Sequence, residues 1–293
     1  QGFTYLIIYW LVLLSHSNTY KISSNTVFKC QLINYLRNFE TFCFLDSNSS
    51  VNELFDFLVA YNPIKEIINP LQPFQDLDNI INESNSSLFG YLTYDLKNSI
   101  ECLQSKNLDF QSFPNMHFFI PSIVIKVNKN NVEISYDAMY SSDEIDSVFF
   151  SIKAIKLKNR KITPVKIQSR VSKEEYMNNI LKIKNHLQSG DIYEMNYCQE
   201  FYAQNINIDP FDIFVRLNDI AKAPFASFYR YKNHFCLCAS PERYLKKEGS
   251  RISSQPIKGT IKRIEDPLLD KINQDKLLNS AKDFSENVMI VDL

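Results

Sequence analysis

The stretch SSQPIKGTIKR, residues 253–263, sets one amine, Lys258, between the apolar Ile257 and a glycine, Gly259, that can turn the chain. Just upstream, SPERYLKKEGSRISSQ reads as two short strands around a turn at Gly249 and Ser250. With a two-residue loop, the numbers of paired residues sum to about 499, which sets Lys258 opposite Pro241 and within about one residue of Glu242. Two chemistries follow from this neighbourhood. One is an exposed cross-strand ion pair, worth at most about 1 kcal/mol. The other is an amine held beside a carboxylate in a cleft, where the amine attacks a substrate and the carboxylate moves protons. Spacing by itself leaves both open, because a one-residue change of register moves every partner.

The elements that must position this pair are legible in part. Ser172 and Glu175 form a capping pattern ahead of an apolar stripe at Tyr176, Ile180, Ile183 and Leu187, and Gly190 suits a left-handed cap, so a helix is predicted over 172–190. The run DIYEMNYCQEFYA, residues 191–203, alternates Tyr193, Met195, Tyr197, Gln199 and Phe201 with Glu194, Asn196, Cys198 and Glu200, the pattern of a half-buried strand. FASFYRY, HFCLCAS, RYLKKE and RISSQPI then predict an antiparallel meander. Earlier in the chain a helix is expected over 27–39, a strand at TFCFLDS, a second helix over 51–60, a loop at IINESNSSL, a strand from Leu88 that passes closely at Gly90, and a hairpin around NKNN. The proline-containing basic stretch 153–170 is the best boundary, dividing a region over 23–152 from one over 171–293.

Composition narrows the function classes. The 293 residues carry 32 basic and 33 acidic side chains, so nothing calls for a nucleic acid or membrane partner, and a small ligand is the better expectation. The five glycines form no phosphate-binding loop. The six cysteines and four histidines are scattered without metal-ligand spacing, as expected of a cytoplasmic protein with reduced thiols. FTYLIIYWLVLL is too short to span a bilayer and lacks a basic flank. Residues 1–22 therefore read as a buried strand, or as an extension ahead of the native start, rather than a targeting segment.

SGDIYEMNYCQEF, APFASFYR, SPERYL and PIKGTIKR, followed by SAKDFSENVMIVDL, together resemble the chorismate-utilising enzymes, most closely component I of aminodeoxychorismate synthase. The resemblance is strong over 172–293, with weaker echoes in FLDSN and LFGYLTYD. It implies an α+β fold in which two antiparallel sheets pack as a sandwich with helices outside, incomplete in this chain. It implies that Lys258 is a nucleophile toward chorismate, where anthranilate synthases carry alanine, and that Glu242 donates the proton to the departing hydroxyl. Gly259 and Thr260 match substrate-binding positions, and Glu286 matches one ligand of a magnesium ion. Ser47, Pro224, Phe225 and Ala226 match the lining of a tryptophan pocket, although plain core packing would explain them equally. Glu194 stands where relatives that add water to chorismate carry a lysine, which argues against isochorismate chemistry.

The expected reaction is conversion of chorismate and ammonia to 4-amino-4-deoxychorismate for folate biosynthesis, with ammonia delivered by a glutamine amidotransferase subunit. Anthranilate synthase component I, or an inactive tryptophan-binding or scaffold remnant, are the alternatives. The family pattern continues past Leu293 with a glycine-rich segment and a second magnesium glutamate. The resemblance therefore implies a fragment that is inactive by itself.

Overall fold

The structure, a computed structural model, describes residues 5–10, 14–50, 54–84, 86–104, 107–157 and 164–292. In chain order these form β1 (Tyr5–Trp10), β2 (His16–Lys21), α1 (Asn25–Tyr35), β3 (Thr41–Asp46), β4 (Phe57–Ile68), α2 (Pro73–Ser84), β5 (Leu88–Thr93), β6 (Met116–Asn128), β7 (Asn131–Tyr136) and α3 (Ser142–Lys153). There follow β8 (Gln168–Ser169), α4 (Lys173–Ser189), β9 (Phe201–Tyr202), α5 (Pro210–Ala221), β10 (Phe225–Tyr231), β11 (His234–Ser240), β12 (Arg243–Glu248), β13 (Arg251–Gln255), α6 (Pro267–Leu278) and α7 (Ala281–Asp292).

Local chemistry starts and stops the helices. Ser24, Ser141, Ser172, Asp209 and Asp266 each place a side-chain oxygen on first-turn amides of the helix that follows, and Pro210 and Pro267 open α5 and α6, where a missing N–H costs nothing. Gly190 ends α4 at φ 77°, as the capping pattern predicts.

Nine strands make one antiparallel sheet, with the path β1-β5-β6-β4-β3-β10-β11 and with β7 and β2 continuing from the second half of β6. The central strands are buried on both faces. Phe42 and Phe44 of β3, Phe57, Val59 and Tyr61 of β4 and Phe228 of β10 face α1, α3 and α5, which contribute Phe28, Leu32, Ile145, Phe149, Phe211 and Phe214. The alternate residues, Cys43, Leu45, Leu58, Ala60, Tyr229 and Tyr231, face Phe89, Tyr91 and Phe119 of β5 and β6.

That second contact shows the sandwich. Tyr91 and Tyr229 lie four strand steps apart along the sheet, about 19 Å if it were flat. Their rings are 5.1 Å apart, edge to face. The sheet therefore folds over on itself, and its two layers are continuous through β4 and β6 rather than separate sheets. The fold line runs where Pro63 meets Pro121 and the β4–β6 register shifts, beside Asn62 at φ 57°. The Asn62 amide donates to Ser122 Oγ at 2.9 Å and to the Tyr140 hydroxyl at 2.6 Å. Gly90 is needed at the layer edge, because a Cβ there would lie 2.3 Å from the His117 carbonyl oxygen.

His117 fastens the layers. It is fully buried; its Nδ1 lies 2.7 Å from the Tyr229 hydroxyl and its Nε2 3.2 Å from Glu66 Oε1. Burial pushes its pKa down to about 4, against the opposing pull of Glu66. The neutral ring satisfies both contacts when Tyr229 donates to Nδ1 and Nε2–H donates to Glu66.

Several expectations are corrected. The helix expected over 51–60 is β4 from Phe57 onward, and 51–53 lie outside the described residues. A strand buried on both faces shows no alternation, so FLVAY reads as helix or strand alike. The IINES of the expected loop closes α2. Residues 191–200 form no strand: the alternation is present, but no neighbouring strand pairs with it, and only Phe201–Tyr202 enter a ladder. The expected four-strand meander is two hairpins, β10–β11 inside the large sheet and β12–β13 apart from it. The Asn128↔Asn131 hairpin is as expected, with Lys129 at φ 53°. The expected N-terminal strand forms as β1 against β5, and its burial lies outside the described residues, as do residues 158–163 of the basic stretch. No described helix is long and apolar enough to cross a membrane.

Candidate active site

Lys258 and Glu242 reach the same neighbourhood through the β12–β13 hairpin. The turn at Gly249, φ 60°, and Ser250 gives Glu248↔Arg251, Lys247↔Ile252 and Lys246↔Ser253, the register that a two-residue loop requires. A bulge then brings Arg243 opposite Gln255, one residue earlier than that register continued. Beyond the last rung the Glu242 carboxylate accepts the Ile257 N–H at 3.1 Å, so it sits at the backbone of the residue just before Lys258. Ser240 shapes the approach: its hydroxyl donates to the Glu242 carbonyl at 3.0 Å and accepts the Glu242 N–H at 3.2 Å. Lys258 and Glu242 are both exposed. Their charged groups form no ion pair with one another, so the cross-strand pair is not the arrangement seen.

Gly259 adopts φ 79°, a conformation side chains disfavour, and a Cβ there would lie 2.7 Å from Asp283 Cγ. Asp283 belongs to the first turn of α7, so the helix packs directly on the turn that carries Lys258. Glu286 is three residues further along α7 and shares that face. Its carboxylate is 3.9 Å from the Lys282 ammonium. Thr260 is exposed, and the chain after it is pinned to α6 by Arg263 on Asp270 and by the Asn273 amide on the Lys262 carbonyl at 2.9 Å. Among the described residues no three metal-ligating side chains converge. Glu286 offers one carboxylate, within the one or two that a magnesium ion keeping several waters uses. Glu194 is exposed in the irregular 191–200 segment.

The expected tryptophan-pocket residues gather where β3 ends and β10 begins. The Ser47 hydroxyl donates to the Asp56 carbonyl at 3.0 Å. Ala226 is paired with Asp46 and buried. The Asp46 carboxylate, fully buried, meets Lys29 at 2.7 Å and the Asn218 amide at 2.6 Å, which fixes its face as the one under α1 and α5. Phe225, one residue earlier, faces the other way, and its ring lies 4.6 Å from the Arg243 guanidinium. Pro224 is half-buried in the turn between Ala223 and Phe225, and the Ala223 carbonyl accepts the Asn48 amide at 2.8 Å. The four residues share a corner, with Ala226 on the helix-covered face and Phe225 on the opposite one.

Sequence reasoning missed Asp46, Lys29, Asn218, Arg243 and Asp283 as organisers of these sites. Only Arg243 carried a signal, its place beside Glu242 in SPERYL; the others meet partners distant in sequence.

A family profile described as chorismate binding enzyme matches residues 45–293. The chain is 41% identical over 126 residues to aminodeoxychorismate synthase component 1 of Escherichia coli, covering 43% of this chain and 28% of that protein. It is 32% identical over 228 residues to aminodeoxychorismate synthase component 1 of Salmonella typhimurium, covering 76% of this chain and 48% of that protein. The matches thus span about half or less of the length of these relatives. The solved structure of anthranilate synthase component I from Streptococcus pneumoniae superposes with a TM-score of 0.67 at 20% identity, over 83% of this chain and 61% of that one, a likeness of fold. The α+β sandwich and the match across most of its length place this chain in the chorismate binding enzyme family.

Proposed function

We propose that this chain is part of an aminodeoxychorismate synthase component I, which converts chorismate and ammonia to 4-amino-4-deoxychorismate and water. The observation that carries the reading is the residue type at 258: a lysine, in PIKGT, whose neighbour Ile257 gives its N–H to Glu242. The Lys258 amine nitrogen adds to carbon 2 of the chorismate ring, the ring double bonds shift, and the carbon 4 hydroxyl leaves as water with a proton from Glu242. Ammonia then adds at carbon 4 and returns a proton to Glu242, the double bonds shift back, and the bond from Lys258 to carbon 2 breaks. Hydroxide is a poor leaving group, so an acid at its side is worth a factor of about 100 or more. Dividing one displacement into two lowers each barrier.

Gly259 and Thr260 would hold substrate beside the amine, and Glu286 would be one protein ligand of magnesium. When bound, magnesium neutralises and polarises the substrate carboxylates. Ammonia would come from a glutamine amidotransferase subunit. The corner of Ser47, Pro224, Phe225 and Ala226 would hold tryptophan. Product identification on the full-length protein its gene encodes tests the reading, with ammonia and magnesium supplied. The expected product retains the enolpyruvyl group. Anthranilate with release of pyruvate would instead assign the anthranilate synthase reaction.

A further inference from the structure

We propose that Arg243 is a positioning residue that, stacked on Phe225, fixes the angle at which the hairpin carrying Glu242 leaves the folded sheet. Its effect on the reaction rests on the function proposed above; its effect on the hairpin does not.

Phe225 stands at the first rung of β10 and pairs with Ser240, the last residue of β11. Between Ser240 and Arg243 lie only Pro241 and Glu242, and the two Ser240–Glu242 hydrogen bonds tighten this reversal. Past it the hairpin has no ladder of its own to the nine-stranded sheet. Arg243 bridges that gap. Its guanidinium lies over the Phe225 ring, while Nε donates to Gln255 Oε1 at 3.0 Å on the facing strand. One side chain therefore touches the buried sheet and spans both strands of the hairpin, at the rung nearest Glu242. Gln255 is two residues before Ile257, whose N–H the Glu242 carboxylate accepts. A rotation of the hairpin about Pro241 thus carries the acid and the lysine turn together, and the planar guanidinium, able to stack and donate at once, opposes it.

The test pairs hydrogen exchange on this chain with kinetics on the full-length protein, for Arg243→Ala, Phe225→Leu, the double variant and Arg243→Lys. Exchange of β12 and β13 amides is expected to quicken about threefold or more in either single variant, the size of a partly exposed cation–ring contact, with β3 and β4 unchanged. The double variant is expected to match Arg243→Ala alone, since that substitution already removes the stack on Phe225 together with the Gln255 hydrogen bond. Arg243→Ala is expected to lower kcat about tenfold with KM held, the pattern of a misplaced transition-state group, and Arg243→Lys, which keeps the charge but not the planar fork, to recover only part of it. Unchanged hairpin exchange in Arg243→Ala, or fully additive effects, would overturn the tether. Faster exchange with unchanged kcat would overturn the positioning role. If the wild-type protein makes no aminodeoxychorismate, the proposed function fails, and the exchange result still decides the tether.

Discussion

Two regions of this chain are built by different means. From β2 to β10, strands such as Thr41–Asp46 are buried at every position, and α1, α3 and α5 each bury several side chains. From His234 onward the described residues include no fully buried side chain, and Tyr244, Leu245, Ile252, Leu268 and Phe284 are all more than 45% exposed. Yet both regions contain well-formed elements. Asp266 caps α6 as competently as Ser141 caps α3, and the β12–β13 turn keeps its register. Caps and turns thus specify secondary structure without a core, whereas burial specifies where elements go. Lys258, Glu242 and Glu286 all lie in the second region, so their geometry rests on a few contacts: the Glu242–Ile257 hydrogen bond, Asp283 on Gly259, and Arg243 on Phe225.

The sharpest contrast is in truncation of side chains. Phe228 is fully buried and touches Phe42, Phe211 and Phe214 with ring centroids 5.0 Å away in each case. Phe228→Ala is expected to cost about 3–5 kcal/mol in denaturant unfolding, whereas Leu245→Ala in the hairpin changes stability by no more than about 0.5 kcal/mol. Equal costs would erase the distinction between the regions.

The buried layer contact gives a pH signature confined to the first region. His117 titrates near 4 when folded and near the ordinary 6.5 when unfolded. As pH falls from 6.5 towards 4, the unfolded chain binds a proton that the folded one does not, so stability is complete above this window and declines through it. The loss reaches roughly 3 kcal/mol at its lower end. Urea midpoints measured across the window should fall for the wild type and fall less for His117→Gln. An identical slope in the two would contradict the assignment.

A smaller effect is expected at the junction of hairpin and helix. Gly259→Ala meets both a left-handed backbone and the Asp283 side chain, at a cost of about 1–2 kcal/mol. Because α7 adds little buried surface, this is expected to appear as faster amide exchange around 257–260 and in α7, with the global denaturation midpoint held. A shift of that midpoint would mean that the second region is more tightly coupled to the core than its exposure implies.

What was legible in sequence follows the same division. Ser172 to Gly190, the Asn128–Asn131 turn and the Gly249–Ser250 register were readable, since their causes lie within a few residues. β4 was not, because FLVAYNPIKEII is buried on both faces over its first five residues and so lacks alternation there. The fold of the sheet at Pro63 and Pro121 joins residues far apart, as does the Asp46 cluster, whose Asn218 is 172 positions away. At the candidate site, the nearness of Glu242 to the Lys258 turn was legible from hairpin arithmetic. The bulge that aims the carboxylate at the Ile257 amide, rather than at the ammonium, was not.

The proposed reaction depends first on attack by the Lys258 amine on the substrate. Replacing it in the full-length protein, Lys258→Ala, and following ammonia-dependent aminodeoxychorismate formation is the most direct measurement. The expected result is a loss of about a hundredfold or more with the fold intact by circular dichroism. Activity within about threefold of the wild type would contradict it, since a nucleophile cannot be removed at so small a cost.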